Sequence, residues 1–400
     1  MNRLFSIWFL PLIVVLAMAI PRILGTPWHA IAGPNSVREY DGLPLQYESY
    51  LLVRTSNLFQ NNIIDTYEHK LNSDEYRSLI PLYFMNTLIS LGISPSVSFH
   101  ATDGLFWWIG SVGTYGLARH FQSSHRAAMM ASVLTASSPL GVAFIGGFGL
   151  HTAQSMSLSL FLFIIFHTLH GTQQILNTSL IISVILLASQ FVYNYYLFLI
   201  PLLICFAIIM QSRRTQLIIT ISVLCYICIS FLLFLIVDKL FTFELHFNSP
   251  SRMLLDRING FTSFSVFISL CLSTLLLVSE NIVNSFHIVI FVCGCIGAMH
   301  APRHLKRLSF LSLIIIICES FVYNVPWVVM SCYPFCYICA GLGICKTALR
   351  SKNIFHITNK YIYIILETGI LLMLMCVTNT DLIGDASFAI RWWQGWYVPR

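Results

Sequence analysis

Apolar positions along the chain collect in long runs separated by short polar turns. Runs long enough to cross or nearly cross a bilayer fall near 4–20, 104–118, 128–146, 152–168, 177–191, 195–210, 216–237, 262–279, 286–300, 308–322, 333–347 and 359–377. Within lipid only helices and closed barrels satisfy every backbone polar group. These runs are too long and too evenly apolar for barrel strands. The pattern therefore predicts an all-α polytopic membrane protein whose helices form a single integral membrane domain over 1–400.

Composition strengthens this picture. Hydrophobic residues make up 57% of the 400 residues and charged residues 10%, with a mean hydropathy of +0.77. A soluble chain of this size needs far more charge to cover its surface. An ordinary soluble enzyme, a nucleic-acid binder and a disordered protein are all excluded. The net charge of +6 is no sign of a nucleic-acid partner, because the basic residues are spread over short loops. The twelve cysteines mostly sit inside apolar runs, as do Cys225, Cys228, Cys293, Cys295, Cys336 and Cys339. Cys225-x-x-Cys228 has no His, Asp or Glu nearby, so these cysteines read as small packing residues rather than a metal or redox pair.

Charge sets the orientation. The short loops at 119–126, 211–215, 302–307 and 346–360 hold Arg119, Arg126, Arg213, Arg214, Arg303, Lys306, Arg307, Lys346, Arg350, Lys352 and Lys360, and no Asp or Glu. Carboxylates gather instead in 21–103, as Glu39, Asp41, Glu48, Asp65, Glu68, Asp74, Glu75 and Asp103, with Asp238, Glu244 and Asp256 later. Bases mark the cytoplasmic side, so the acidic segments face outward and the N-terminus is cytoplasmic. Counting then meets a conflict. Two full spans at 262–279 and 286–300 would put Arg303–Arg307 outside. One of the two is expected to be re-entrant or interfacial, which gives about 11 (10–12) transmembrane helices. The C-terminal tail 378–400 then lies outside, with Arg391-Trp392-Trp393-Gln394-Gly395-Trp396-Tyr397 as an aromatic anchor. The first run has Asn2-Arg3 ahead of it and Ala17-Met18-Ala19 within it, features shared with signal peptides. A retained first helix fits the family reading given below.

The outer segments are 21–103 and 238–261. A structureless loop of about 80 residues is unusual, and two stretches of the first have apolar residues at helical spacing. They are Tyr47–Phe59 and Glu75–Ile89, both read as amphipathic helices on the membrane surface.

Four features resemble the GT-C superfamily of membrane glycosyltransferases, within its protein-mannosyltransferase-like and aminoarabinose-transferase-like branch. The first span leads into an outer loop where an acidic residue opens a surface helix, here Gln46-Tyr47-Glu48-Ser49-Tyr50-Leu51 with Glu39-Tyr40-Asp41 upstream. A helix similar to PLYxxLxxxLxxLGxS follows, from Pro81-Leu82-Tyr83 to Leu91-Gly92-Ile93-Ser94. Next comes Tyr115-Gly116-Leu117-Ala118-Arg119, a basic turn, and an alanine-rich span from His125-Arg126-Ala127-Ala128 to Ser137-Ser138-Pro139. A late segment holds Val322-Tyr323-Asn324-Val325-Pro326 and Tyr333-Pro334, before Ala340-Gly341-Leu342-Gly343. The first three features cover about residues 1–170 in family order. Two features depart from the family. The outer turn Gly146–His151 offers His151 where the family usually has an acidic residue. The segment after Asn324 lacks the basic residue that often holds donor phosphate.

The resemblance implies transfer of a sugar from a polyprenyl-phosphate carrier to a lipid, glycan or protein acceptor at the outer face of the plasma (inner) membrane. Such transfer needs a carboxylate to take or orient the acceptor proton, positive charge at the leaving phosphate, and a groove for the lipid. The carboxylate candidates are Glu48, then Asp41 and Glu39. Glu48 opens a helix, whose N-terminus favours an anion. Arg252 and Arg257 are candidates for phosphate, since guanidinium pairs with it in bidentate fashion. His151 and Glu319 complete the substrate-binding set. Some relatives use a divalent cation, but no ligand cluster in the sequence argues for one. Two alternatives stay open: a lipid or polysaccharide transporter or flippase, and an inactive homologue. Against a carrier stand the long outer loop and the absence of a convincing internal repeat.

Overall fold

The computed structural model describes residues 3–25, 79–93, 95–121, 123–138, 157–171, 174–192, 196–210, 212–241, 288–323 and 333–354, with short helical pieces between 268 and 276 and between 364 and 373. Among the described residues the fold is all-helical and has no strand. In chain order the helices are α1 (Arg3–Gly25), α2 (Leu79–Ser90), α3 (Pro95–His120), α4 (His125–Ala136), α5 (Leu158–Leu169), α6 (Ile175–Val192), α7 (Tyr196–Met210), α8 (Arg213–Phe241), α9 (Ile288–His300), α10 (Arg303–Tyr323) and α11 (Tyr333–Ile354).

Local signals explain several boundaries. Pro95 opens α3, where its missing N–H is no loss. Ser124 caps α4, its hydroxyl accepting from the Ala127 N–H at 3.1 Å. Gly92 ends the α2 hairpin at φ +86°, and the Ile93 N–H reaches back to the Leu88 carbonyl at 3.1 Å. That six-residue closure demands a left-handed residue and so favours glycine. Of the helix expected over Glu75–Ile89, α2 covers Leu79–Ser90, and residues 75–78 lie outside the described residues. The companion helix over 47–59 lies outside the described residues.

Helix directions follow from the contacts. α3 and α4 are antiparallel, with Trp107 bonded to Thr135 at 2.7 Å and Tyr115 to His125 at 2.9 Å. α3 and α5 run the same way, with Gly113 under Leu160 and Gly116 under Phe163. α6 and α8 are also parallel, joined from Ser179–Ile218 to Gln190–Tyr226. α11 opposes α4, with Tyr337 at Ser138 and Gly341 against Ala127. α9 packs on α11, with Gly294 by Cys336, Gly297 by Cys339 and Gly343 by Cys293. The turns carrying Arg119 and Arg126, and Arg213 and Arg214, therefore gather at one end of the bundle, with Lys346 and Arg350 of α11; the charge pattern assigns Arg303, Lys306 and Arg307 to the same side. This is termed the basic end. Asp103, Asp238 and Glu319 fall toward the opposite, far end of their helices.

On α6 and α8, small polar residues face neighbouring helices beside Ile182, Leu186, Ile218 and Ile219, and several large apolar residues face outward. On α6, Thr178, Ser179, Ser183 and Ser189 are buried while Leu176, Leu180 and Val184 are exposed; Ser183 is 0% and Val184 59% exposed. On α8, Ser222 and Tyr226 are buried while Leu217, Leu224, Ile227 and Phe231 are exposed. Ser183 donates to the Ser222 carbonyl at 2.9 Å and Ser179 to the Ile218 carbonyl at 3.2 Å. Small polar residues thus join the helices, and large apolar ones line the outside, the arrangement that bilayer helices adopt. Among the described residues one helix is long and apolar enough to cross a membrane, the Arg213–Leu232 part of α8. Shorter apolar helical stretches occur at Ile7–Ile20, Leu158–Leu169, Ile175–Gln190, Phe198–Met210 and Val289–His300.

The core contains close glycine contacts. A Cβ built on Gly297 would overlap the Cys339 carbonyl, and one on Gly343 the Cys293 carbonyl. These glycines let the α9 and α11 backbones touch, as small residues do between membrane helices. Cys336 and Cys339 lie along the same contact, while Cys225 is partly exposed and Cys228 exposed on α8.

The outer boundary of the sequence reading needs one correction. Residues 21–103 were assigned to a hydrophilic loop, yet α3 already begins at Pro95. Asp103 is only 2% exposed, so it is a residue of the bundle and not of a solvated loop. The apolar run starts at 104, but the helix is extended by polar residues that pack inward, Ser98 and Thr102 among them. Thr102 donates to the Ser98 carbonyl at 2.7 Å, which satisfies its hydroxyl within the helix.

Candidate functional site

Of the residues singled out from the sequence, Glu39, Asp41, Glu48, His151, Arg252 and Arg257 lie outside the described residues. Glu319 stands on α10, one turn before its far end at Tyr323. What the helices do fix is where the chain leaves and rejoins the bundle. The segment with His151 starts after Ser138 of α4 and returns at Ser157 of α5, both at the far end. The segment with Arg252 and Arg257 starts after Phe241 of α8, again at the far end. The segment with Glu39, Asp41 and Glu48 returns through α2 to Pro95, where α3 begins at that same end.

A buried polar network lies beneath these attachment points. Asp103, Trp107, Ser111 and Thr114 follow one another at spacings of four, four and three along one face of α3. Trp107 is 1% exposed, and its indole N–H donates to the Thr135 carbonyl at 2.7 Å. Ser132 donates to the Ser111 carbonyl at 2.7 Å. Thr135 lies 3.3 Å from Thr114, hydroxyl to hydroxyl.

The network continues into α5 and α11. Ser159 donates to the Gly110 carbonyl at 2.5 Å. Tyr333 donates to Ser159 Oγ at 3.1 Å and accepts from the Ser159 N–H at 3.3 Å. Tyr337 donates to Ser138 at 2.9 Å. Hydroxyls and carbonyls are matched donor to acceptor, so Tyr333, Ser159 and Gly110 form a closed chain. These bonds form a floor, and Asp103 stands one turn nearer the far end than Trp107. A carboxylate placed so deep in an apolar bundle is costly. It marks this end as the place to look for chemistry, and sequence reasoning missed it by counting Asp103 with the loop. The signal was present in the spacing of Asp103, Trp107, Ser111 and Thr114.

The basic end holds a second cluster. The ring of His120 sits 4.6 Å from that of His170 and stacks at 6.1 Å on Phe166. His170 Nδ1 lies 2.9 Å from the Phe166 carbonyl. Burial, then the neighbouring His170 and His167, lower the pKa of His120 from 6.5 to about 4. His120 is therefore neutral at physiological pH. Around it, Arg119 donates to the Ser123 carbonyl at 2.6 Å and Arg214 to the Gly171 carbonyl at 2.8 Å. Among the described residues no group of three or more His, Cys, Asp or Glu is placed to hold a metal ion. In sequence, the chain matches no protein-family model and no curated protein.

Proposed function

We propose that the chain is a multi-pass glycosyltransferase of the plasma (inner) membrane, with about eleven crossings and the basic end in the cytoplasm. It moves a sugar from a polyprenyl-phosphate carrier to a lipid, glycan or protein acceptor at the far, outer end. Membrane placement is supported by helices that bury serine and expose leucine, α6 and α8 above all. The observation that carries the activity is the ordered motif set over about residues 1–170, followed by segments whose candidate residues all attach to one end of the bundle.

The reaction follows from those groups. Glu48, with Asp41 and Glu39 next in order, takes the acceptor proton as the acceptor oxygen bonds to the anomeric carbon. The bond from that carbon to the carrier phosphate breaks, and Arg252 and Arg257 offset the released charge. His151 and Glu319 position the substrates. The hydrogen bonds of Trp107, Ser132 and Ser159 form the floor. One of the runs 262–279 and 286–300 is re-entrant or interfacial in this reading. The α6–α8 seam bears on the carrier alternative. Its serines are satisfied by neighbouring carbonyls, which suits a packed joint better than a polar path.

The test is sugar transfer in membranes containing the chain and a labelled pool of polyprenyl-phosphate sugars. Glu48→Gln is expected to lower the rate by about 10²–10⁴-fold, with Asp41→Asn and Glu39→Gln compared alongside. Absence of product from the wild-type chain with every common carrier-linked sugar would contradict the proposal.

A further inference from the structure

The basic end carries a set of exposed cations. Every Lys and Arg of its turns whose side chain is described is exposed, and Asp103, Asp238 and Glu319 lie toward the other end. Three of these cations are already steered by backbone carbonyls. Arg119 is held by Ser123, Arg214 by Gly171, and Lys306 by Met299 at 3.2 Å. The histidine at the centre, His120, stays neutral and adds no repulsion. Exposed apolar side chains begin immediately beside the cations. On α8, Leu217 is 48% exposed four residues after Arg213, and on α10, Phe310 is 64% exposed three residues after Arg307. Arg213 and Arg307 thus stand beside exposed apolar side chains, where the phosphate of a phospholipid would lie.

We propose that this end binds the anionic phospholipid headgroups of the adjoining leaflet, gathering them as a selective collar around the bundle. Charge complementarity and the apolar border favour lipid over a soluble anion. A phosphate in solution would use the cations alone, whereas a lipid also covers Leu217 and Phe310. Near an anionic surface each Lys or Arg strengthens attraction by roughly fivefold, an effect that salt screens. The inference rests on the membrane placement proposed above and not on the sugar chemistry.

The test uses the full chain in bilayer nanodiscs of neutral phosphatidylcholine mixed with a minority of phosphatidylglycerol. The lipid held next to the protein is measured by quenching from labelled lipids of each kind. Severalfold enrichment of phosphatidylglycerol is expected. It should fall toward the bulk ratio in high salt and in the variant combining Arg303→Gln, Arg307→Gln, Lys346→Gln and Arg350→Gln. The salt arm needs no variant, so a misfolded variant cannot decide the matter. Bulk-ratio lipid around an inserted, helical wild-type chain overturns the collar and leaves the membrane placement standing. Failure of the chain to insert overturns both. Binding of free pyrophosphate with no lipid preference overturns the collar in favour of a soluble anion.

Discussion

Two single positions give the account its sharpest local consequences. Gly297 lies where any side chain would meet the Cys339 carbonyl, which is backbone and unable to swing aside. Gly297→Ala is expected to force α9 from α11 and cost about 3 kcal/mol, the upper part of the usual range for overpacking. Reversible unfolding in mixed micelles measures it. His120 gives a pH effect of definite sign. Its pKa is about 4 in the folded chain against an ordinary 6.5. Between those values the unfolded chain takes up a proton that the folded chain declines. Stability is therefore full above about pH 6.5, falls as pH drops toward 4, and levels off below. His120→Gln should flatten this part of the profile when unfolding midpoints are compared at pH 7.5 and pH 5. An unchanged slope would mean that His120 is not the group responsible.

At the scale of the helix, α6 separates a bilayer from water as its surroundings. Val184 is 59% exposed near the middle of the helix, and its neighbour Ser183 bonds across to α8. For a soluble bundle, Val184→Lys would change stability by no more than about 0.5 kcal/mol. For a bilayer-facing helix it should cost about 2.5–3.5 kcal/mol. Ser183→Ala should cost about 0.6 kcal/mol, the ordinary worth of a hydrogen bond between membrane helices. Stability measured for both variants in bicelles decides between the two surroundings.

Much at this scale was legible in the sequence. The apolar runs near 4–20, 177–191, 195–210, 286–300 and 333–347 each coincide with the body of a helix. The facing of the serines was not legible. Inside an evenly apolar run such as 177–191 a serine carries no sign of whether it meets lipid or another helix. The start of α3 was misjudged for a related reason. Hydropathy locates the first lipid-facing residue, and the helix begins earlier with polar residues that face inward. The glycine contacts are matters of three-dimensional approach, and composition alone does not assign them partners.

For the whole molecule, the central claim is two-sidedness. The basic turns close one end, and the segments bearing the candidate residues attach to the other. Charge pattern alone predicts this division, and the contacts bring the Arg119 and Arg214 turns together. The joining of Glu48, Asp41, His151, Arg252 and Arg257 into one site depends on segments beyond the described helices, so their arrangement was legible only as a shared side. The most direct measurement is accessibility of single introduced cysteines to a membrane-impermeant maleimide in sealed cells, with the parent chain's labelling subtracted. Glu48→Cys and Arg252→Cys should label from outside, while Arg214→Cys and Arg350→Cys should label only after the membrane is opened. Equal labelling of both pairs in sealed cells would contradict the account.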